Sequence, residues 1–355
     1  MSKAAELAAL IGSQTALSNR NLIINGAMQV AQRGDVTGIT GAGIFGGADR
    51  FPTNGSNYGT VSLVQEADAP EGFAESQRVK FTTARSTTGA GDHFIIGTRL
   101  EGQDLQRFKK GTSNAESMTV SFYAKASQAT TITLELFDAD NSRHAGKEFA
   151  ITTSWARYSY SFVGDTTGAF DNDNVLSMYV FFWLSAGTDF TGGTNPDGSW
   201  IANTNNRRVH SDVGTTFMDT LNAEFNLTGI QLEVGEQATP FEHRSFGDEL
   251  VRCQRYFSIL PSFSGPGTGS TSVRGFGSHV VSMRSSPTLA VTGAMNVTDG
   301  YAADFTQSSG NISLISQDER QSFFNMGNFS GVTNGEIHFG PRRQNSSNIT
   351  LDAEL

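Results

Sequence analysis

From about residue 60 to residue 234, apolar side chains recur at every second position. Val61 and Leu63, Val79 and Phe81, and Phe94 to Ile96 open the series. Met118, Val120, Phe122 and Ala124 continue it, then Ile132, Leu134 and Leu136, and Tyr158, Tyr160 and Phe162. Phe225 to Leu227 and Ile230 to Val234 close it. A period of two is the signature of strands with one buried face, and the Gly, Ser, Thr, Asn and Asp clusters between them mark turns. Between Met178 and Leu184 the intervening Tyr179, Phe181 and Trp183 are apolar too, which predicts a strand buried on both faces. Trp155 and Trp183 read as strand residues of the core. Gly102 to Phe108 breaks the alternation and predicts a helical turn crossing between sheets.

The pattern predicts a β-sandwich over 21–247 rather than βαβ units. A short amphipathic helix at 248–257 follows, with Cys253 as a buried thiol. The remainder, 258–355, is richer in Ser, Gly and Asn and predicts a smaller β domain. Its expected strands are Val280 to Met283, Thr288 to Val291, Ile312 to Leu314 and Ile337 to Phe339, with Pro261 to Gly267 as a linker or turn. At the other end, within 1–20, Leu7, Leu10 and Ile11 share one face of a helix at 4–11. Eight residues do not hold a helix alone. That stripe packs on its own domain or serves attachment and self-assembly.

Composition supports an all-β chain. Of 355 residues 39 are Gly and 26 Phe, and only 17% are charged, against a usual quarter. Net charge is −10, and the basic groups are small, so a nucleic-acid partner is not expected. A single cysteine excludes an intramolecular disulfide and a Cys-based zinc cluster. No run approaches 18 apolar residues, so no membrane insertion is expected. Glu6 and a short, Ala-diluted apolar stretch argue against a signal peptide at the start.

Motifs for catalysis are wanting, and the expected class is non-enzymatic. Gly41 to Gly46 matches G-x-G-x-x-G without the flanking strand and helix a dinucleotide needs, and reads as a flexible loop. The six histidines never fall two to four residues apart. Asp138 and Asp140, with Asp171 and Asp173, alternate with other residues on two loops, a spacing that suits calcium but also the solvated turns in which Asp and Asn ordinarily occur. The long loop from Ser185 to Arg208 carries Trp200 and Phe190 among amides and arginines. A flat ring beside Asn203 and Arg207 is the chemistry of sugar recognition; the other readings are a loop buried at an oligomer interface and one pinned back on the domain by Trp200.

Several words of the sequence occur in a telling order: Asn21 to Gly34, Ala48 to Phe51, Thr153 to Tyr158, Gly229 to Gly235, Ala238 to Glu242, Glu249 to Phe257 and Met283 to Thr288. Together they resemble tail fibre and appendage proteins of tailed bacteriophages. The resemblance covers roughly 21–290 and implies a jelly-roll, carbohydrate-binding-module-like sandwich on the virion surface. It further implies a homotrimer that contacts host cell-surface polysaccharide, with no catalytic residues. Attachment to other virion proteins would fall to the N-terminal segment. A capsid-decorating fibre or tail adaptor with no host ligand is the alternative, and a depolymerase a third. In this resemblance the segment from Asn25 to Gln29 would begin the first strand, with a turn at Asn25 and Gly26.

Overall fold

A computed structural model describes residues 19–85, 89–214, 216–293, 295–301, 304–308, 310–341 and 347–355. The expected N-terminal helix with Leu7, Leu10 and Ile11 lies outside them. The chain divides into two compact units, Met1–Glu249 and Leu250–Leu355.

Among the described residues the first unit holds twelve strands: β1 (Val36–Ile39), β2 (Thr53–Ser56), β3 (Thr60–Glu66), β4 (Ser76–Thr83), β5 (His93–Glu101), β6 (Met118–Ala126), β7 (Thr130–Asp138), β8 (Arg143–Ile151), β9 (Ala156–Phe162), β10 (Leu176–Ala186), β11 (Ile201–Ala202) and β12 (Glu224–Val234). They form two six-stranded antiparallel sheets, one ordered β1-β3-β4-β12-β6-β9 and the other β11-β8-β7-β10-β5-β2. The alternating residues explain the pairing. Val120, Phe122 and Ala124 of one sheet and Leu134, Leu136, Val180 and Phe182 of the other turn inward and form a continuous core. Phe122 is its hub, edge-on to Phe182 and Phe149 and stacked on Tyr158. Gly102 to Phe108 forms the expected helical turn.

The structure corrects the sequence reading in several places. The two expected segments at Phe225 and Ile230 are one strand, β12, whose register shifts between Thr228 and Gln231. Gly229 makes the shift possible: its φ is +61°, and a Cβ there would lie 2.7 Å from both Phe73 and Tyr123. Trp155 is not a strand residue; it precedes β9 in a turn, where its Nε1 donates to Asp68. No strand begins at Asn25.

The segment from Asn19 to Arg33 instead forms a polar lock along the edge of the sandwich. Asn21 accepts the amides of Ile23 and Leu232 and donates to the carbonyl of Ile230. Glu242 accepts the amides of Asn19 and Asn21, each at 2.7 Å, while its own amide donates to Gln231. Asn25 is fully buried at φ +59°, as the expected turn requires. Its Nδ2 donates to the carbonyls of Val30 and Asp49, its Oδ1 accepts the Val30 amide, and its backbone N–H donates to Glu249. Arg244 completes the lock through Glu249 and the carbonyl of Ile23. Buried polar groups are retained at low cost when their partners are supplied, as they are for Asn21 and Asn25, while Arg244 Nε is buried without one.

In the second unit, β13 (Phe257–Ile259), β22 (Asn348–Asp352) and β16 (Thr288–Thr292) form a small sheet. Seven further strands form the other: β14 (Phe263–Pro266), β15 (Val273–Ser278), β17 (Asn296–Thr298), β18 (Asp304–Thr306), β19 (Ile312–Gln317), β20 (Gln321–Met326) and β21 (Ile337–Gly340). Leu260, Phe263, Val273, Met283, Val297, Phe324 and Leu351 form its core. The expected linker at Pro261 is largely strand β14. Val280 to Met283 is irregular rather than a strand, the paired segment being β15 just before it. The helix spans Phe246–Gln254, across the boundary of the two units, and Cys253 is a buried free thiol as expected.

Candidate functional site

The outer face of the sheet containing β10 is the site the fold builds. Register places Phe137, Tyr179 and Arg99 in one row across β7, β10 and β5; Glu135, Phe181 and Gly97 form the next, and Thr133, Trp183 and Ile95 the third. Tyr179 and Phe181 are not enclosed on both faces, as the sequence predicted; both remain half-buried. Their rings stack at 4.6 Å with an interplanar angle of 24°, and Phe137 stands 6.0 Å from Tyr179. Gly97 is required beneath them, since a Cβ there would come within 2.9 Å of the Phe181 ring. The Arg99 guanidinium lies 5.8 Å from the Tyr179 ring and 6.0 Å from Phe45, and the Arg33 guanidinium is 4.5 Å from Phe45. Burial pushes the Arg99 pKa below its ordinary value, partly opposed by Tyr179.

One end of this face is closed by the loop from Gly187 to Gly214. Val209 and Val213 sit on Ile95, Trp183 and Ala186, with Phe190 packed against them. Arg208 grips the buried Glu135 with two bonds of 2.8 Å, and Trp183 Nε1 donates to the same carboxylate at 2.8 Å. The guanidinium also covers the rings of Phe137 (4.7 Å) and Trp183 (5.0 Å). His144 approaches Glu135 at 3.4 Å. Burial by itself raises a carboxyl pKa, yet Arg208 and His144 hold Glu135 below the usual carboxylate range. The resulting surface is a ring platform bordered by a fixed carboxylate–guanidinium pair.

The expected sugar-binding quartet does not converge. Trp200 is half-buried: its Nε1 donates to the carbonyl of Val163 and the Lys110 ammonium lies 5.4 Å from its ring. Phe190 packs on His93 (4.8 Å) and Trp183 (5.0 Å). Trp200 adjoins β11 while Phe190 lies over β10 and β5, three strand spacings away, or about 14 Å. Arg207 donates to the carbonyl of Thr194, and Asn203 is tied through its backbone to Ser142. These bonds pin the loop back on the domain.

Of the expected calcium ligands, Asp138 is taken up by a lysine, while the two loops meet at Asp140 and Asp171. Asp138 is buried against Lys110, whose ammonium lies 2.6 Å from Asp138, 3.1 Å from Asp165 and 2.8 Å from each of the carbonyls of Thr167 and Gly168. The cation among these oxygens is the chain's own. Arg143 adds a second positive charge on Asp165 at 2.7 Å, and against burial these two basic groups hold the Asp165 carboxyl below its ordinary pKa. Asp140 instead accepts the Asp171 amide, and Asp173 that of Val175. The first of these bonds joins the two loops, and the second closes a turn.

His93, at the edge of the face, has its pKa lowered, first by burial and then by Arg208, against a bond to Gly91. Its neutral form is therefore favoured in the fold. A lowered folded value means the unfolded chain binds more protons as pH falls from about 6.5, so stability declines over that window. Urea melts between pH 7.5 and 5 are expected to show this slope, and His93→Gln to flatten it.

No known family model and no curated protein sequence matches the chain. Among solved structures, one similar chain is a tailspike protein of bacteriophage CBA120, at 11% identity and a TM-score of 0.31 over 60% of this chain and 21% of that one. Another is a carbohydrate-binding module solved with β-1,4-galactotriose (10%, TM-score 0.31, covering 61% of this chain and 99% of that one). A third is a xylan-binding domain from Paenibacillus barcinonensis (11%, TM-score 0.29, covering 60% and 93%).

Proposed function

We propose that this protein is a non-enzymatic glycan-binding appendage protein. The polysaccharide would lie across β5, β10 and β7, on the face formed by Tyr179, Phe181 and Phe137. The observation that carries this reading is the row of half-buried rings left open on an otherwise complete sandwich. Sugar rings present C–H faces that stack on such a platform, and hydroxyls pair with planar charged groups at its border. Arg99 and Arg208 supply that border, with the enclosed Glu135 holding Arg208 in place. The resemblance of the sequence words to phage tail fibres supports a host cell-surface polysaccharide as ligand and the virion surface as location. The same resemblance supports a homotrimer held to other virion proteins by its N-terminal segment.

Titration calorimetry against polysaccharide purified from the host surface tests this. Tyr179→Ala is expected to weaken binding about tenfold, the loss of one stacked ring worth ~1–2 kcal/mol. Trp200→Ala, distant from the platform, is expected to leave it within about twofold. Unchanged affinity in both Tyr179→Ala and Phe181→Ala would place the ligand elsewhere. Release of reducing ends during incubation would favour the depolymerase instead.

A further inference from the structure

Glu148, His210 and Asp212 meet where the loop returns to the sheet, outside the ring platform and independent of its function. Their ligating atoms all lie within 4.8 Å of one another. His210 Nδ1 is 2.8 Å from Glu148 Oε2 and 3.9 Å from Asp212 Oδ1. We propose that these three residues form a divalent metal site, suited to zinc, that clasps the loop to strand β8.

Three observations carry the assignment. The first is spacing. A tetrahedral zinc ion with ligands at about 2.0–2.1 Å holds them about 3.3–3.4 Å apart, and the two separations at Nδ1 bracket that value. Shifts of about half an ångström bring the Nδ1 separations to that value, and rotation of the exposed Asp212 draws its carboxylate, within 4.8 Å of Glu148, onto the ion.

The second is preorganisation. Glu148 projects from β8 opposite Thr133 on the outer face of the sheet. His210 and Asp212 lie two apart in a turn closed by the bond from the Val213 amide to the His210 carbonyl. The flanking Val209 and Val213 are buried, Arg208 is fixed on Glu135, and the His210 amide donates to the Thr133 hydroxyl at 3.1 Å. Both sides of the site are thus set by groups that are not ligands, which lowers the entropic cost of capture.

The third is the hydrogen-bond accounting at Nδ1. To pair with Glu148 this nitrogen must donate a proton, yet the Asp212 amide also points its own N–H at it, at 3.3 Å. One nitrogen cannot donate and accept in the same tautomer. A cation on Nδ1 replaces the proton needed between it and Glu148 and neutralises two carboxylates that share one imidazole, with the Asp212 amide turning off the occupied lone pair. Asp212 is exposed, which leaves a path for the ion and a position for water as fourth ligand. One imidazole and two carboxylates form a borderline donor set that suits zinc.

The test uses the full chain freed of metal by chelation. Calorimetric titration with zinc chloride should show one ion per chain. Tm should rise by about 5–10 °C at zinc a hundred times the Kd, whereas calcium should produce no such rise. His210→Ala should weaken zinc binding by more than about 100-fold while leaving the metal-free Tm and circular dichroism unchanged. If that variant does not fold, zinc-dependent shifts of the His210 imidazole NMR signal in the parent protein, together with loss of uptake in Glu148→Gln, read out the same site. The absence of zinc uptake in the parent, or uptake undiminished in a folded His210→Ala, would overturn the assignment.

Discussion

Replacing Lys110 with Ala is expected to cost ~3–5 kcal/mol of stability, because a buried charge loses its partner. The ammonium and Asp138 are both fully enclosed, and Asp165 nearly so. Without the ammonium, two carboxylates and the carbonyls of Thr167 and Gly168 face each other with Arg143 as the remaining cation on Asp165. Carboxylates left so cannot recover water without opening the loops that cover them. Urea denaturation would register the loss, and Tm should fall by about 10 °C for a domain of this size. Lys110→Met keeps the volume and should fare little better. The double variant Lys110→Met/Asp138→Asn should regain part of the loss, since removing both charges is far less costly than removing one. Calcium should leave the parent's Tm where it was, because the ammonium already occupies the oxygen cage.

Asn25→Ala is expected to have an effect of similar size, about 3–5 kcal/mol. The substitution strips the carbonyls of Val30 and Asp49 and the amide of Val30 of their partner, inside a region with no access to water. Each buried group so orphaned costs ~1–3 kcal/mol. Alanine is also poorly suited to a φ of +59°, a conformation Asn tolerates. Asn25→Gly separates the two contributions: it accepts the backbone angle but restores none of the bonds. Equilibrium urea melts should therefore rank the parent above Asn25→Gly, and Asn25→Gly above Asn25→Ala. A Gly variant as stable as the parent would show that the bonds contribute nothing.

The sandwich was legible where one side of a strand met the core and the other met water or turns. Met118 to Phe122 and Ile132 to Leu136 are legible for a different reason: both their sides are buried, but the outer positions hold polar Thr119, Ser121, Thr133 and Glu135. Strand β8 was not legible. Ala145 is small on its core side, while on the outer side His144 is buried beside Glu135, so hydropathy does not alternate. In the second unit the signal weakens further. Phe276, Ile337 and Phe339 are exposed apolar strand residues, and β14 reads as a linker because it ends Gly-Pro. Gly265 there is a close-approach position: a Cβ would strike the carbonyl oxygen of Arg274 on the neighbouring strand.

The site was half legible. Tyr179 and Phe181 were visible as strand residues, but a period of two cannot say whether a second layer covers their outer side. Trp200 attracted attention because its loop is long and polar. The composition of that loop does not disclose that Lys110, some ninety residues earlier, takes up a position over the Trp200 ring. The words resembling phage fibres had no visible physical reason in the sequence. In the fold, Asn21, Asn25, Gln231, Glu242 and Glu249 are partners in one lock, joined across more than 200 positions.

That lock has a mechanical consequence. Asn19 and Asn21 lie a hydrogen bond from Glu242, and Asn25 a hydrogen bond from Glu249, so the strands of the sandwich are contained within a loop whose two ends are fastened together. Tension applied through the flanking chain on both sides would be borne first by this clasp and would not run lengthwise through either sheet. The ring platform would keep its shape under a pull that strained the clasp, and the force at which the sandwich yields would be set by a handful of amide–carboxylate bonds.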